Sequence, residues 1–411
     1  MVTQAGAVVI GAGALGLSTA MNLAKLGLKQ VVVMERFRVG SQTSRRAASL
    51  FKLIQANELR TRLAQLSIRE VARFREETGV DLPVVRSGSI LAAYQPEFAD
   101  IVRHDAEQVA AWGIELELID GREAHRRAPF LSPDGVRIAV HTPGDIYIDE
   151  PADMLRAWQQ AGERLGVTFV EHTPVIGIRI DHSQVTGVLT SQGEIATPIV
   201  VDAAGAWARA LGELAGVTMP IATLRNQLAI TEPIEGLYSE HPILRVIDTA
   251  FYARPNRGGL LVGGLEGDPM AVNVRTQPTD FSIDDVPLDP SVVHRLVQPV
   301  VEFVPALRDT SFADVRGGLF TMTPDGDFLV GPMPGVHGLW AATGCNGSGF
   351  SFAPALGKVL AEWIVGGEPS IDISSFAPGR FGAYQIDEER LLTAAVWHYT
   401  HWYTPEPGTT R

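Results

Sequence analysis

Three glycines near the start of the chain have a spacing that can hold a phosphate pair. Gly11, Gly13 and Gly16 read G-x-G-x-x-G. The first permits a tight turn, the second lets backbone approach a pyrophosphate, and the third lets a helix pack closely on the preceding strand. Ala14 and Leu15 lie between them. Glu35, followed by Arg36, ends the next apolar run, where a carboxylate can accept hydrogen bonds from a ribose diol. Ser41 to Ala48 then mixes hydroxyls (Ser41, Thr43, Ser44), cations (Arg45, Arg46) and small residues (Ala47, Ala48), the usual ligands of a phosphate. The chemistry predicted is dinucleotide binding, with nicotinamide and flavin forms both open on these residues alone.

Elements that position these groups follow from the apolar pattern. Val8 to Ile10 and Val31 to Met34 read as buried strands, and Leu17 to Leu26 as the helix between them, ended by Gly27. Two later strand ends repeat the small-residue theme. Ile199 to Asp202 runs into Ala203 to Trp207, with Ala204 and Gly205 allowing close approach of a ligand to backbone. Gly338 to Thr343 runs into Gly344-Cys345-Asn346-Gly347-Ser348-Gly349-Phe350. A helix expected from Ala353 to Ile364 would turn the positive end of its dipole toward that loop. Single helices are expected over Glu58 to Thr78 and Val292 to Phe303, and the stretch around 221–310 reads as strands and turns.

Composition narrows the class. A chain of 411 residues with 45% hydrophobic and 20% charged residues reads as a globular protein of two interleaved domains. A formal charge of −13 with no basic stripe argues against nucleic acid. The one cysteine, Cys345, excludes an internal disulfide and a thiolate metal cluster. No run reaches the roughly 18 apolar residues of a membrane span. A cytoplasmic setting is expected, and no metal: His398 and His401 have helical spacing but no third ligand nearby.

With the three glycine-rich strand ends in view, the chain resembles the glycine/D-amino acid oxidase family of FAD-dependent enzymes, from Ala7 to about Phe381. The resemblance rests on GAGALG with Glu35, on VVDAAGAWA at 200–208, and on TPDGDFLVGPMPGVHGLWAATGCNGSGF at 323–350. The TPDG segment and RNQLAITEP at 225–233 look most like the sarcosine and dimethylglycine branch. The resemblance implies an α/β protein, α+β overall, with a discontinuous Rossmann-like FAD domain (1–85, 145–220 and 311–370). A mainly antiparallel sheet (86–144 and 221–310) would carry the substrate site. The tail, 371–411, with Trp402 and Tyr403, would dock on the body or on a second subunit of a homo-oligomer. It also adds Val175, Trp207 and the 344–350 loop to the flavin contacts. The implied chemistry is hydride transfer from an amine-bearing carbon to flavin N5, imine hydrolysis, and electron delivery to O2 or another acceptor.

Departures from the family pattern shape the substrate site. Gly318 stands where some sarcosine oxidases attach FAD through cysteine, which implies non-covalent FAD. Phe320 replaces a carboxylate-binding arginine of glycine oxidases, and Ser351 a lysine of sarcosine oxidases, where Lys52 replaces an arginine. Lys52 is the expected anchor for a carboxylate-bearing amine. Arg257 or Arg254 is expected as second cation, with Tyr147 and Tyr252 as hydroxyl donors. Arg257 also reads as a solvated hairpin tip. Leu261 falls where sarcosine oxidases carry the lysine that assists oxygen. A nicotinamide dehydrogenase and a flavoprotein subunit without activity of its own are the competing readings.

Overall fold

The β-branched runs form a sheet buried on both faces, and the alternation of their side chains sorts them between two cores. Ala7 and Val9 pack on one face with Leu17, Leu23 and Val33, while Val8, Ile10 and Val32 pack on the other with Ile178, Val185 and Val188. In this computed structural model, which describes residues 2–382 and 386–402, the sheet has six strands. Their order is Leu329–Pro332, Leu339–Thr343, Val200–Asp202, Ala7–Ile10, Val31–Met34 and Thr168–Val170. All neighbours are parallel except the first pair. The helix Ala14–Lys25 covers one face together with Pro151–Arg164 and Gly349–Gly366. At Gly357 a Cβ would come within 2.4 Å of Ser18 Oγ, so glycine allows the two long helices to touch. The three-stranded antiparallel sheet 175–196 covers the opposite face.

A second sheet has eight strands, in the order Phe312–Met322, Ala222–Thr231, Gly259–Gly263, Phe251–Asn256, Ile243–Val246, Ser89–Ala93, Ile138–Thr142 and Glu117–Ile119. Its pairings are antiparallel except for Ile243–Val246 against Ser89–Ala93. The fold is therefore the mixed α/β architecture expected, with a mainly antiparallel second sheet.

Local departures have local causes. The helix expected over 58–78 is two, Glu58–Ala72 and Phe74–Thr78, because Arg73 adopts bridge-region backbone (φ −98°, ψ 1°). The helix Pro290–Val297 gives way to a tighter turn at Gln298–Val300, where Pro299 cannot supply an amide. The last long helix starts at Gly349 rather than Ala353, so the last two residues of the glycine-rich loop, Gly349 and Phe350, join its first turn. The tail forms a helix, Glu388–Thr400, whose Leu391, Ala395 and Tyr399 are buried against the second sheet. Tyr403 lies outside the described residues.

Candidate active site

All three glycine-rich strand ends open on one cavity of about 670 Å³ between the two sheets. Its nucleotide end is lined by Gly11, Gly13, Ala14, Leu15, Glu35, Arg36, Thr43, Ser44 and Val175, and by Ala204, Gly205 and Trp207. Glu35 is held by two amides: its Oε2 accepts from Ala12 N–H (2.8 Å) and its Oε1 from Phe37 N–H (2.8 Å). A carboxylate offers about four lone-pair positions, so capacity remains for a diol. Burial pushes this carboxyl upward, opposed by those amides and by Arg36. The Arg36 guanidinium lies 5.0 Å from the Phe37 ring centre and 5.5 Å from that of Trp207.

The cavity fits a flavin dinucleotide on the terms that an anionic diphosphate and ring set. The helices Ala14–Lys25 and Gly349–Gly366 both begin at its wall, and neither N-cap residue (Gly13, Ser348) supplies a side-chain cap. Two positive dipole ends thus face the same space. At Gly11 (φ +105°) a Cβ would lie 2.4 Å from Ala203 O, which no other residue could accommodate.

Some expected contacts lie elsewhere. Gly16 stands behind the wall, where a Cβ would meet Gly11 O at 1.9 Å, and serves helix packing. Arg45 is exposed and Ser41 also lies off the wall, because the single turn Thr43–Arg46 directs Arg46 inward instead. Gly344 packs against Leu329, and buried Asn346 is used by Thr323 N–H and by the carbonyls of Gly344 and Asp327. These two shape the loop; Ala47, Ala48, Gly347, Ser348, Gly349 and Phe350 line the cavity.

At the other end, Lys52, Tyr252, Asn226, Leu228, Gly264, Leu265, Phe320, Ser351 and Trp402 enclose the space. Lys52 follows the strand Leu50–Phe51. Burial, then the positive charge of Arg245, pushes its amine down to about 7, against the opposing pull of Asp145. Tyr252 depends on a glycine: at Gly263, directly across the strand pair, a Cβ would lie 2.3 Å from its hydroxyl oxygen.

Three expected substrate groups lie off the cavity wall. The Tyr147 ring is fully buried, and its hydroxyl donates to Ser239 O (2.8 Å), because Ile146–Tyr147 pairs with Leu50–Phe51 and turns the phenol inward. Arg254 spends its donors on Ala48 O (2.8 Å), Asp149 Oδ1 (3.1 Å), Asp149 O (2.7 Å) and Pro255 O (2.8 Å). It braces the Ala48 segment of the wall. Arg257 and Gly258 form the two-residue hairpin tip, with φ +53° and +80°, and Arg257 pairs with Glu150 at 2.8 Å in the open. The tip is five residues beyond Tyr252, roughly 16 Å along a strand. Leu261 is fully buried beside Leu228 and Ile230, one layer behind the wall.

Sequence reasoning missed Asn226 and Leu228, and placed Trp402 in a docking tail without giving it a place on the cavity wall. The first two sit at i and i+2 of one strand, an alternation visible in the sequence. Trp402 carries no local signal; it arrives because Tyr399 is anchored, its hydroxyl donating to Asn226 Oδ1 (2.5 Å).

A nucleotide-binding sheet with a second sheet over the far end of its cavity defines a dinucleotide-dependent oxidoreductase. Residues 7–363 match the FAD dependent oxidoreductase (DAO) family, and the chain belongs to it. The dinucleotide is accordingly FAD and the nicotinamide reading falls away. Human mitochondrial sarcosine dehydrogenase is 31% identical over 95% of this chain and 43% of its own length. The 4-methylaminobutanoate oxidase (formaldehyde-forming) of Paenarthrobacter nicotinovorans is 29% identical over 95% of this chain and 47% of its own. The chain thus spans less than half the length of these curated relatives. L-proline dehydrogenase from P. horikoshii superposes with a TM-score of 0.83 at 26% identity, covering 93% of this chain and 98% of that one. Among the described residues no helix is long and apolar enough to cross a membrane, and no group of three or more His, Cys, Asp or Glu is placed to hold a metal.

Proposed function

We propose that this chain oxidises the C–N bond of a small secondary or tertiary amino acid of the sarcosine, dimethylglycine or iminodiacetate type. The observation that carries the reading is Lys52, a cation in the apolar far end of the cavity, where a small carboxylate has a partner. The names of the relatives support it: sarcosine dehydrogenase, dimethylglycine dehydrogenase from Rattus norvegicus (30% identical) and 4-methylaminobutanoate oxidase.

In this reading the first helix and Glu35 hold the nucleotide end of FAD, and Gly347 to Phe350 hold the ring end. Bound FAD supplies the two-electron acceptor for the amine-bearing carbon. Lys52 holds the substrate carboxylate, Tyr252 orients the amine through its hydroxyl, and Leu228, Phe320 and Phe350 exclude water. FAD is held without a covalent link: Gly318 offers no thiol, and burial pushes the Cys345 thiol up to about 11.

Oxygen is the final acceptor in the first form of this proposal, giving hydrogen peroxide and a product imine that hydrolyses. Leu261, apolar and buried, favours a second form in which electrons leave to another acceptor. A reducing, cytoplasmic setting suits a chain with a single cysteine. An anaerobic screen of N-alkyl amino acids for bleaching of the yellow colour tests the substrate class. No bleaching by any of them would refute it.

A further inference from the structure

Arg245 is a buried cation with donors to spare. It sits on Ile243–Val246, the strand between Phe251–Asn256 and Ser89–Ala93, and is 2% exposed. Among the described residues, neither its Nε nor its Nη2 has a hydrogen-bond partner. A buried guanidinium left with unmet donors is costly, and such groups are retained where something else meets them. Register says where it faces. Arg245 pairs directly with Tyr252, and directly paired residues share a face of the sheet. Tyr252 lines the cavity, so Arg245 stands on the cavity side of the sheet.

Its charged neighbours leave an excess of positive charge. Lys52, from the strand Leu50–Phe51 and its continuation, is close enough that Arg245 depresses its amine. Among the described residues the acid bearing on both is buried Asp145, from the turn before Ile146–Tyr147. Its Oδ1 accepts from Leu53 N–H (2.8 Å) and its Oδ2 from Ser89 Oγ (2.6 Å). Two cations therefore face one carboxylate that is already engaged by neutral donors. That imbalance suits one further anion. Arg254 and Arg257 cannot serve it, for their donors are committed to Asp149, Glu150 and backbone.

We propose that Arg245 and Lys52 together form the anion subsite of the cavity, and that it takes the carboxylate of the amine substrate. This rests on the substrate class proposed above. Lys52 contributes a point charge at the wall. Arg245 contributes the second charge and two donors in a fixed fork, which sets the direction of the carboxylate. Specificity for an N-alkyl amino acid over the bare amine follows from this pair.

The test uses FAD-loaded enzyme and two probes that carry no amine to oxidise, (methylthio)acetate and (methylthio)acetamide, each titrated against the flavin absorbance. Arg245→Met is expected to raise Kd for the carboxylate about tenfold or more, while leaving Kd for the amide within about twofold. Arg245→Lys is expected to fall between, since it keeps charge and loses the fork. Carboxylate binding in wild type should weaken as pH rises through about 7, where Lys52 loses its proton, and Arg245→Met should move that limb to higher pH. An unchanged carboxylate Kd, or equal losses for both probes, would overturn the subsite and leave Arg245 a structural residue solvated by water. Should Arg245→Met fail to retain FAD, Arg245→Lys decides: unaltered carboxylate affinity refutes the proposal. Arg245-dependent carboxylate binding without turnover of any N-alkyl amino acid would sink the substrate class and keep the subsite. Turnover with Arg245-independent binding would do the reverse.

Discussion

The Tyr399 hydroxyl donates to Asn226 Oδ1 at 2.5 Å, joining residues 173 positions apart. The same oxygen accepts from Glu266 N–H at 3.3 Å, and the Tyr399 ring lies 5.9 Å from that of Phe320. Asn226 and Phe320 both line the cavity, so the tail helix is tied to the substrate wall at the point where Trp402 enters it. Tyr399→Phe removes a buried donor and is expected to cost about 1–3 kcal/mol of stability. KM should rise more than kcat falls, because Trp402 loses its seat. Thermal melting together with steady-state kinetics checks this; an unchanged KM would free the tail from any part in the wall.

Lys52→Met should lower kcat/KM for the amino acid substrate by roughly ten- to a hundredfold, the size of one lost charge-assisted contact of ~1.5–3 kcal/mol. Bound FAD should be retained, since the residues proposed to hold its phosphates line the other end of the cavity. Kinetics that do not change, measured beside the flavin-to-protein absorbance ratio, would remove Lys52 from the site.

Acid precipitation is expected to leave a colourless pellet and a yellow supernatant. Gly318 packs beneath Thr43, where a Cβ would lie 2.8 Å from Thr43 Cγ2, so the position that carries cysteine in some relatives has neither thiol nor room. Colour retained in the pellet would point to Cys345 or a histidine.

Gly263→Ala tests Tyr252 without touching its chemistry. The added methyl would meet the phenol oxygen at 2.3 Å and must displace it. A fall in kcat with FAD content preserved is expected. If Gly263→Ala and wild type turn over equally, Tyr252 does not orient the substrate.

Enzyme bleached anaerobically and mixed with air-saturated buffer is expected to recover its colour more slowly than relatives with a lysine near the ring. Leu261 carries no charge and is buried behind Leu228. Stopped-flow absorbance reads the rate. Recovery as fast as in lysine-bearing enzymes would show that Lys52 or another cation substitutes; slow recovery with fast dye reduction defines a dehydrogenase.

Much of this protein was legible before any coordinate. The strand, the G-x-G-x-x-G turn, the helix and Glu35 are neighbours in sequence, and their spacing alone builds the nucleotide end, because each geometry closes within one or two turns of chain. The two later glycine-rich ends completed the motif set whose resemblance to a known family implied FAD. The substrate end was different. Arg254 and Tyr252 are two residues apart and share a strand, yet one is consumed by Asp149 and Ala48 while the other faces the cavity. Tyr147, expected as a hydroxyl donor at the site, is sealed away by pairing with Leu50. Arg245 gave no sequence signal at all. Its place follows from register opposite Tyr252 and from an engaged Asp145 a hundred residues earlier in the chain. Spacing reports what one turn of backbone can hold; which cation is left without a partner depends on every segment packed around it, and only the tertiary structure decides that.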